Sequence, residues 1–104
     1  MCKTNEMDRR KEIRYAKQLP LRVQGIDNQG LFFVEVVLTE NVSCYGACLV
    51  LNREVPVGQR LHIFISAGPL QTQASALIRW TSGSEGRWRV GVHFARPPKS
   101  WQHC

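Results

Sequence analysis

No apolar run in the 104 residues approaches the roughly 20 that a membrane-crossing helix needs, and the first residues, MCKTNEMDRRKEIR, lack the apolar stretch of a signal peptide. A cytoplasmic location is the expectation. Catalytic constellations are missing too. No Ser-His-Asp set is arranged so that the strand layout would gather it, no paired carboxylates sit in a cleft-like setting, and no glycine-rich phosphate loop opens a helix. The chain reads as a binding module and not an enzyme. Acidic residues are scarce, 8 Asp and Glu against 14 Lys and Arg, giving a formal charge of +6. Four cysteines, Cys2, Cys44, Cys48 and Cys104, fit neither a CxxC zinc knuckle nor a disulfide framework, and His62, His93 and His103 are not spaced to complete a site. Reduced thiols and no metal are expected.

The basic excess is local. Residues 1 to 24 hold Lys3, Arg9, Arg10, Lys11, Arg14, Lys17 and Arg22 against Glu6, Asp8 and Glu12, a surplus of four, whereas the other 80 residues have a surplus of two. A nucleic-acid-binding domain more often spreads its cations over a whole face. A short arm suited to a small anion is the better reading.

One compact domain is expected at this length, with 43% hydrophobic residues to build a modest core. Beyond the arm, hydrophobicity alternates with a period of two, the mark of half-buried strands. Leu19, Leu21 and Val23 define a first strand. After the turn residues Asp27-Asn28-Gln29-Gly30, a second presents Phe32, Val34, Val36 and Leu38 on its apolar face, with Glu35 and Thr39 opposite. A third runs from Ala47 to Asn52 with Ala47, Leu49 and Leu51 inward. Pro56-Val57-Gly58 precedes a fourth with Leu61, Ile63 and Ile65, which Gly68-Pro69 ends. A fifth, about Thr72 to Thr81, places Ala74, Ala76, Ile78 and Trp80 together. Ser82 to Gly86 form a hairpin loop into a sixth with Trp88, Val90, Val92 and Phe94 inward. Six short strands with tight turns predict an all-β sandwich or small antiparallel barrel, closure being attractive because it removes edges. No long amphipathic helix is found, since Met7, Ile13 and Tyr15 make no continuous stripe. The predicted divisions are an N-terminal arm over 1–18, a barrel over 19–96 and a tail over 97–104, in which Trp101 either packs back or stays free.

Two motifs stand out. Arg10 and Arg14 form an RxxxR pair preceded by Arg9; alone it reads equally as a solvated charged arm. Between the second and third strands lies Asn41-Val42-Ser43-Cys44-Tyr45-Gly46, where Asn41 and Ser43 point the same way if extended and Gly46 permits a turn or close approach. A plain β-turn explains those residue types as well.

In this order, RxxxR, a strand pair, [Asp/Asn]-x-Ser-x-x-Gly and a final Gly-Val-x-Phe strand, the chain resembles the PilZ domain family of cyclic di-GMP receptors over about residues 9 to 95. Val57-Gly58-Gln59, Ile78-Arg79-Trp80 and Arg89-Val90-Gly91-Val92-His93-Phe94 are similar to PilZ segments, as is a Pro97-Pro98 tail of short stand-alone members. The resemblance implies a six-stranded antiparallel barrel of split-barrel type with a flexible basic arm that ligand orders across its mouth. It implies cyclic di-GMP as ligand, bound by Arg9, Arg10, Arg14, Asn41, Ser43 and Gly46. Each guanine offers O6 and N7 acceptors to an arginine fork, for which lysine is a poor substitute. An arginine at position 9 resembles the type that takes an intercalated pair of ligands. Asn41 stands where many members have aspartate, keeping the acceptor but losing the charge. A changed arm alters the surface shown to a protein partner, whose pathway the sequence leaves open. Two other readings remain: a small basic barrel that binds RNA or DNA, and a PilZ-like adaptor that binds no nucleotide. Against the first, Phe32, Trp80, Trp88 and Phe94 read as core, leaving only Phe33, Phe64 and Tyr45 for stacking.

Overall fold

The structure, a computed structural model, describes residues 15–67 and 70–97. Six antiparallel strands run β1 (Pro20–Ile26), β2 (Phe32–Ser43), β3 (Gly46–Leu51), β4 (Arg60–Ala67), β5 (Leu70–Ser84) and β6 (Arg87–Phe94). They close into a barrel in the order β1-β2-β3-β6-β5-β4, with β1 also pairing β4. The expected all-β barrel is what forms. Arg9, Arg10 and Arg14 of the arm, and Trp101 of the tail, lie outside the described residues, as does the Gly68-Pro69 turn.

Turn chemistry fixes the hairpins. Asp27 ends β1 and accepts the backbone N–H groups of Gln29 (2.9 Å) and Leu31 (3.0 Å) on Oδ1, while Gly30 takes a φ of 81° that favours glycine. At the β5–β6 end Ser84 pairs Arg87, so the loop shrinks to Glu85-Gly86 and β5 extends past the predicted Thr81.

The interior is lined by Leu21 and Val23 of β1, Leu49 and Leu51 of β3, Leu61 and Ile63 of β4, Ile78 of β5 and Val90 and Phe94 of β6, each at 2% exposure or less. Burying such side chains contributes about 1.5–3 kcal/mol apiece. The inward faces of β1, β3 and β4 match the predicted ones.

β2 faces the other way. Phe33, Val37 and Thr39 are buried, and Phe32, Val34, Val36 and Leu38 stand outside at 64, 50, 73 and 49% exposure. Register explains the inversion. Val37 lies opposite Leu21, and Glu35 opposite Val23, so inward β1 residues bring these partners inward with them. A strand with an apolar series on both faces carries no pattern that selects one of them. The polar residues thus turned inward find partners. Glu35 accepts the Asn52 N–H (2.8 Å) and an Arg53 Nε–H (3.4 Å), and Arg53 also reaches Asp27 (3.2 Å) and stacks on Phe33. Phe32 is therefore surface and Phe33 core, the reverse of the expectation.

β5 shifts register between Ile78 and Trp80, so Ile78 pairs the inward Val92 while Trp80 pairs Gly91. The bulge moves Trp80 to the outer face, where the sequence pattern had put it in the core. Its indole occupies the space a Cβ at Gly91 would fill.

The cysteines also differ from expectation. Cys44 and Cys48 each take part in a disulfide bond, and no free cysteine occurs among the described residues. Spacing along the chain argues against a zinc knuckle but does not report which sulfurs meet in three dimensions.

Candidate functional site

The Asn41–Gly46 motif spans the β2–β3 hairpin at the end of the barrel opposite the Asp27 turn. A register shift between Thr39 and Asn41 resets the alternation, so Val42 faces inward at 0% exposure while Asn41 and Ser43 fall on the opposite face, Asn41 half-buried and Ser43 covered at 0% exposure. Cross-strand pairing then lines up two rows on the outer wall. Asn41 lies opposite Cys48, Cys48 opposite Gly91 and Gly91 opposite Trp80; Ser43 lies opposite Gly46, and Gly46 opposite His93. Asn41, Ser43 and Gly46 are thus brought together on one patch.

Gly46 is required by packing. A Cβ there would sit 2.5 Å from the Val92 carbonyl oxygen, backbone that cannot step aside. Ser43 is fully buried and its hydroxyl lies 3.5 Å from the Gly46 carbonyl, so it braces the hairpin. Asn41 is half-buried beside it. The Tyr45 ring stacks on His93 with centroids 6.1 Å apart, closing the patch on the β6 side.

The segment that leads from the arm into β1 is sewn to this wall. Tyr15 and Val42 exchange both backbone hydrogen bonds, Tyr15 N–H to the Val42 carbonyl at 2.7 Å and Val42 N–H to the Tyr15 carbonyl at 2.9 Å. Thr39, 1% exposed, accepts the Leu19 N–H on Oγ1 (2.9 Å), donates the same hydroxyl to the Lys17 carbonyl (2.6 Å) and gives its own N–H to Leu19 (3.1 Å). Residues 15 to 19 therefore run along β2 from Thr39 to Val42. Arg14 is joined directly to Tyr15, and Arg10 is five residues from it, a span of at most about 17 Å of extended chain. Sequence reading missed this strap, because residues 15–19 carry no alternating pattern and owe their place to backbone pairing and one buried hydroxyl.

Charge at the patch is arranged by Glu40, the residue at the bulge. Its carboxylate accepts the Arg89 Nε–H at 2.8 Å and lies 3.6 Å from Arg87. The Arg89 hydrogen bond, partly opposed by desolvation, holds the Glu40 carboxyl below its ordinary range. Among the described residues no group of three or more His, Cys, Asp and Glu is placed to hold a metal, and no helix is long and apolar enough to cross a membrane.

The PilZ domain pattern matches residues 8–101, nearly the whole chain. The chain belongs to the PilZ domain family. PilZ domains are cyclic di-GMP-binding modules that act on partner proteins. Among solved structures this PilZ domain is similar to the Bacillus subtilis inhibitor of motility, MotI/DgrA, with a TM-score of 0.60 and 18% identity over 86% of this chain. It spans 43% of that protein, and at this identity the likeness speaks for the fold alone. No curated protein sequence matches the chain.

Proposed function

We propose that this PilZ domain is a receptor for cyclic di-GMP, with Arg9, Arg10 and Arg14 of the arm and Asn41, Ser43 and Gly46 of the barrel wall forming its site. The observation that carries the reading is the Tyr15–Val42 pairing, which roots the arginine arm between Asn41 and Ser43. Two arginine forks and an outward amide then converge from one place on a ligand with two phosphates and two guanine edges. Arg9 accommodates a second, stacked ligand molecule.

A hydrogen bond to a charged group contributes about 1.5–3 kcal/mol net, so four or five exceed the roughly 8 kcal/mol of micromolar binding before ordering costs are subtracted. The strap lowers those costs, since Tyr15, the neighbour of Arg14 in the chain, is already paired with Val42. Closure of the remaining arm on the ligand changes the surface beside the hairpin, and a protein partner reads that change. The rival reading of a polynucleotide platform is weakened by where the exposed aromatics lie: Phe32 sits among Val34, Ile26 and Leu31, not among cations, and Tyr45 is stacked on His93, so the two do not form one stacking row.

Calorimetric titration with cyclic di-GMP tests the reading. Micromolar or tighter binding is expected, at two ligands per chain, with Arg10→Ala or Arg14→Ala removing the heat while leaving the melting temperature of the free protein unchanged. Absence of heat up to about 1 mM ligand contradicts receptor function.

A further inference from the structure

The outward face of the β1–β2 hairpin is a continuous apolar strip that the ligand site does not use. Ile26 and Leu31 flank the turn at 41 and 57% exposure, and Phe32, Val34, Val36 and Leu38 continue along β2. Register places Phe32 opposite Ile26 and Leu38 opposite Pro20, so the strip widens onto β1 at both ends. From these exposures and ordinary side-chain areas the six residues show roughly 600 Å2 of apolar surface. That is the upper end for the largest patch of a monomer.

We propose that this strip is the contact face of a homodimer, a second copy of the chain packing β1–β2 against β1–β2 about a two-fold axis. Area supports this occupant. Two such faces together cover on the order of 1,200 Å2 before any polar rim is counted, above the roughly 1,000 Å2 that a stable interface needs. Charge supports it also. Of the β1 residues that pair the strip, Ile26, Gln24, Arg22 and Pro20, Arg22 alone is charged, and its guanidinium lies 4.5 Å over the Phe64 ring on the β4 side, so this border offers no ionic code for an acidic or basic partner. An apolar face without such a code is complementary to itself. The chain's own remaining segments are unsuited to cover it: residues 1–14 are dominated by charge and residues 98–104 contain one large apolar side chain, Trp101. Among the described residues every strand of the closed barrel has a neighbour on each side, which favours association through a face over addition at an edge strand. The Asn41–Gly46 patch lies beyond the Thr39–Asn41 bulge, at the far end of β2, and stays open in this arrangement.

Sedimentation equilibrium of the purified chain between about 5 and 500 µM, without reductant so that the disulfides of Cys44 and Cys48 stay intact and with non-reducing electrophoresis to exclude covalent dimer, tests the proposal. A reversible dimer with a dissociation constant of about 10–100 µM is expected. Val36→Glu and Val36→Lys, both at an exposed position, each weaken dimerisation at least tenfold with an unchanged circular dichroism spectrum; opposite charges with one effect identify an apolar contact. Phe32→Ser gives the same loss should either variant fail to fold. A wild-type chain monomeric at 500 µM overturns the proposal, including the case in which the strip serves a different protein, and so does a dimer that Val36→Glu and Val36→Lys leave intact.

Discussion

Replacing Thr39 by valine removes one hydroxyl and keeps the shape. In the folded chain that hydroxyl accepts the Leu19 N–H at 2.9 Å and donates to the Lys17 carbonyl at 2.6 Å. Each net hydrogen bond is worth about 0.5–1.5 kcal/mol, and the partly exposed strap lets water take over some of the loss, so a destabilisation of about 1–2 kcal/mol follows. Most of that loss is local, because the buried valine still fills its slot between β1 and β3. Amide exchange is the suitable assay. The Tyr15 and Leu19 amides of Thr39→Val exchange about tenfold faster for each 1.4 kcal/mol lost, while core amides such as Val23 and Ile63 change much less. Cyclic di-GMP affinity falls alongside, since a larger part of the arm must then be ordered on binding. Thr39→Ser separates the two roles of the side chain. It loses a buried methyl, worth about 0.8 kcal/mol, but keeps the hydroxyl, so strap protection and affinity stay near wild type. Unchanged Tyr15 and Leu19 protection in Thr39→Val refutes the idea that this hydroxyl holds the strap.

Two other perturbations follow from the same geometry. Gly46→Ala drives a methyl against the Val92 carbonyl and Gly91→Ala drives one into the Trp80 indole; each costs about 1–3 kcal/mol in urea unfolding, and only Gly91→Ala also shifts tryptophan emission. Acid destabilises the fold. Asp27 is held below its usual 3.8 chiefly by the Leu31 N–H, and Glu40 below its usual 4.5 chiefly by Arg89. Because both folded values are depressed, the unfolded chain binds more protons in this window, and the stabilisation present above pH 4.5 is lost as pH falls through the folded values. Urea midpoints between pH 7 and 3 check this, with Asp27→Asn and Glu40→Gln each flattening the acid limb.

Barrel architecture was legible because turn residues and period-two alternation agree along most of the chain. Asp27 to Gly30 marked one hairpin, and Leu61, Ile63 and Ile65 marked an inward face that the structure repeats. The errors fall where local pattern is silent and pairing decides. β2 has two apolar series, and only its opposition to Leu21 and Val23 turns Phe33 and Val37 inward. Trp80 left the core through a bulge, which changes facing without changing composition. At the site, the hairpin motif was visible as residue types in order, and its grouping of Asn41, Ser43 and Gly46 on one wall follows from strand alternation. The strap was not visible, because its hydrogen bonds are made by backbone groups that every residue carries.

Chemical-shift mapping of isotope-labelled protein titrated with cyclic di-GMP tests the site most directly. Perturbations concentrated on the strap, Tyr15 to Leu19, and the hairpin, Asn41 to Gly46, with Val34 and Val36 unaffected, are the predicted result. Shifts confined to other walls of the barrel, or none at millimolar ligand, contradict it.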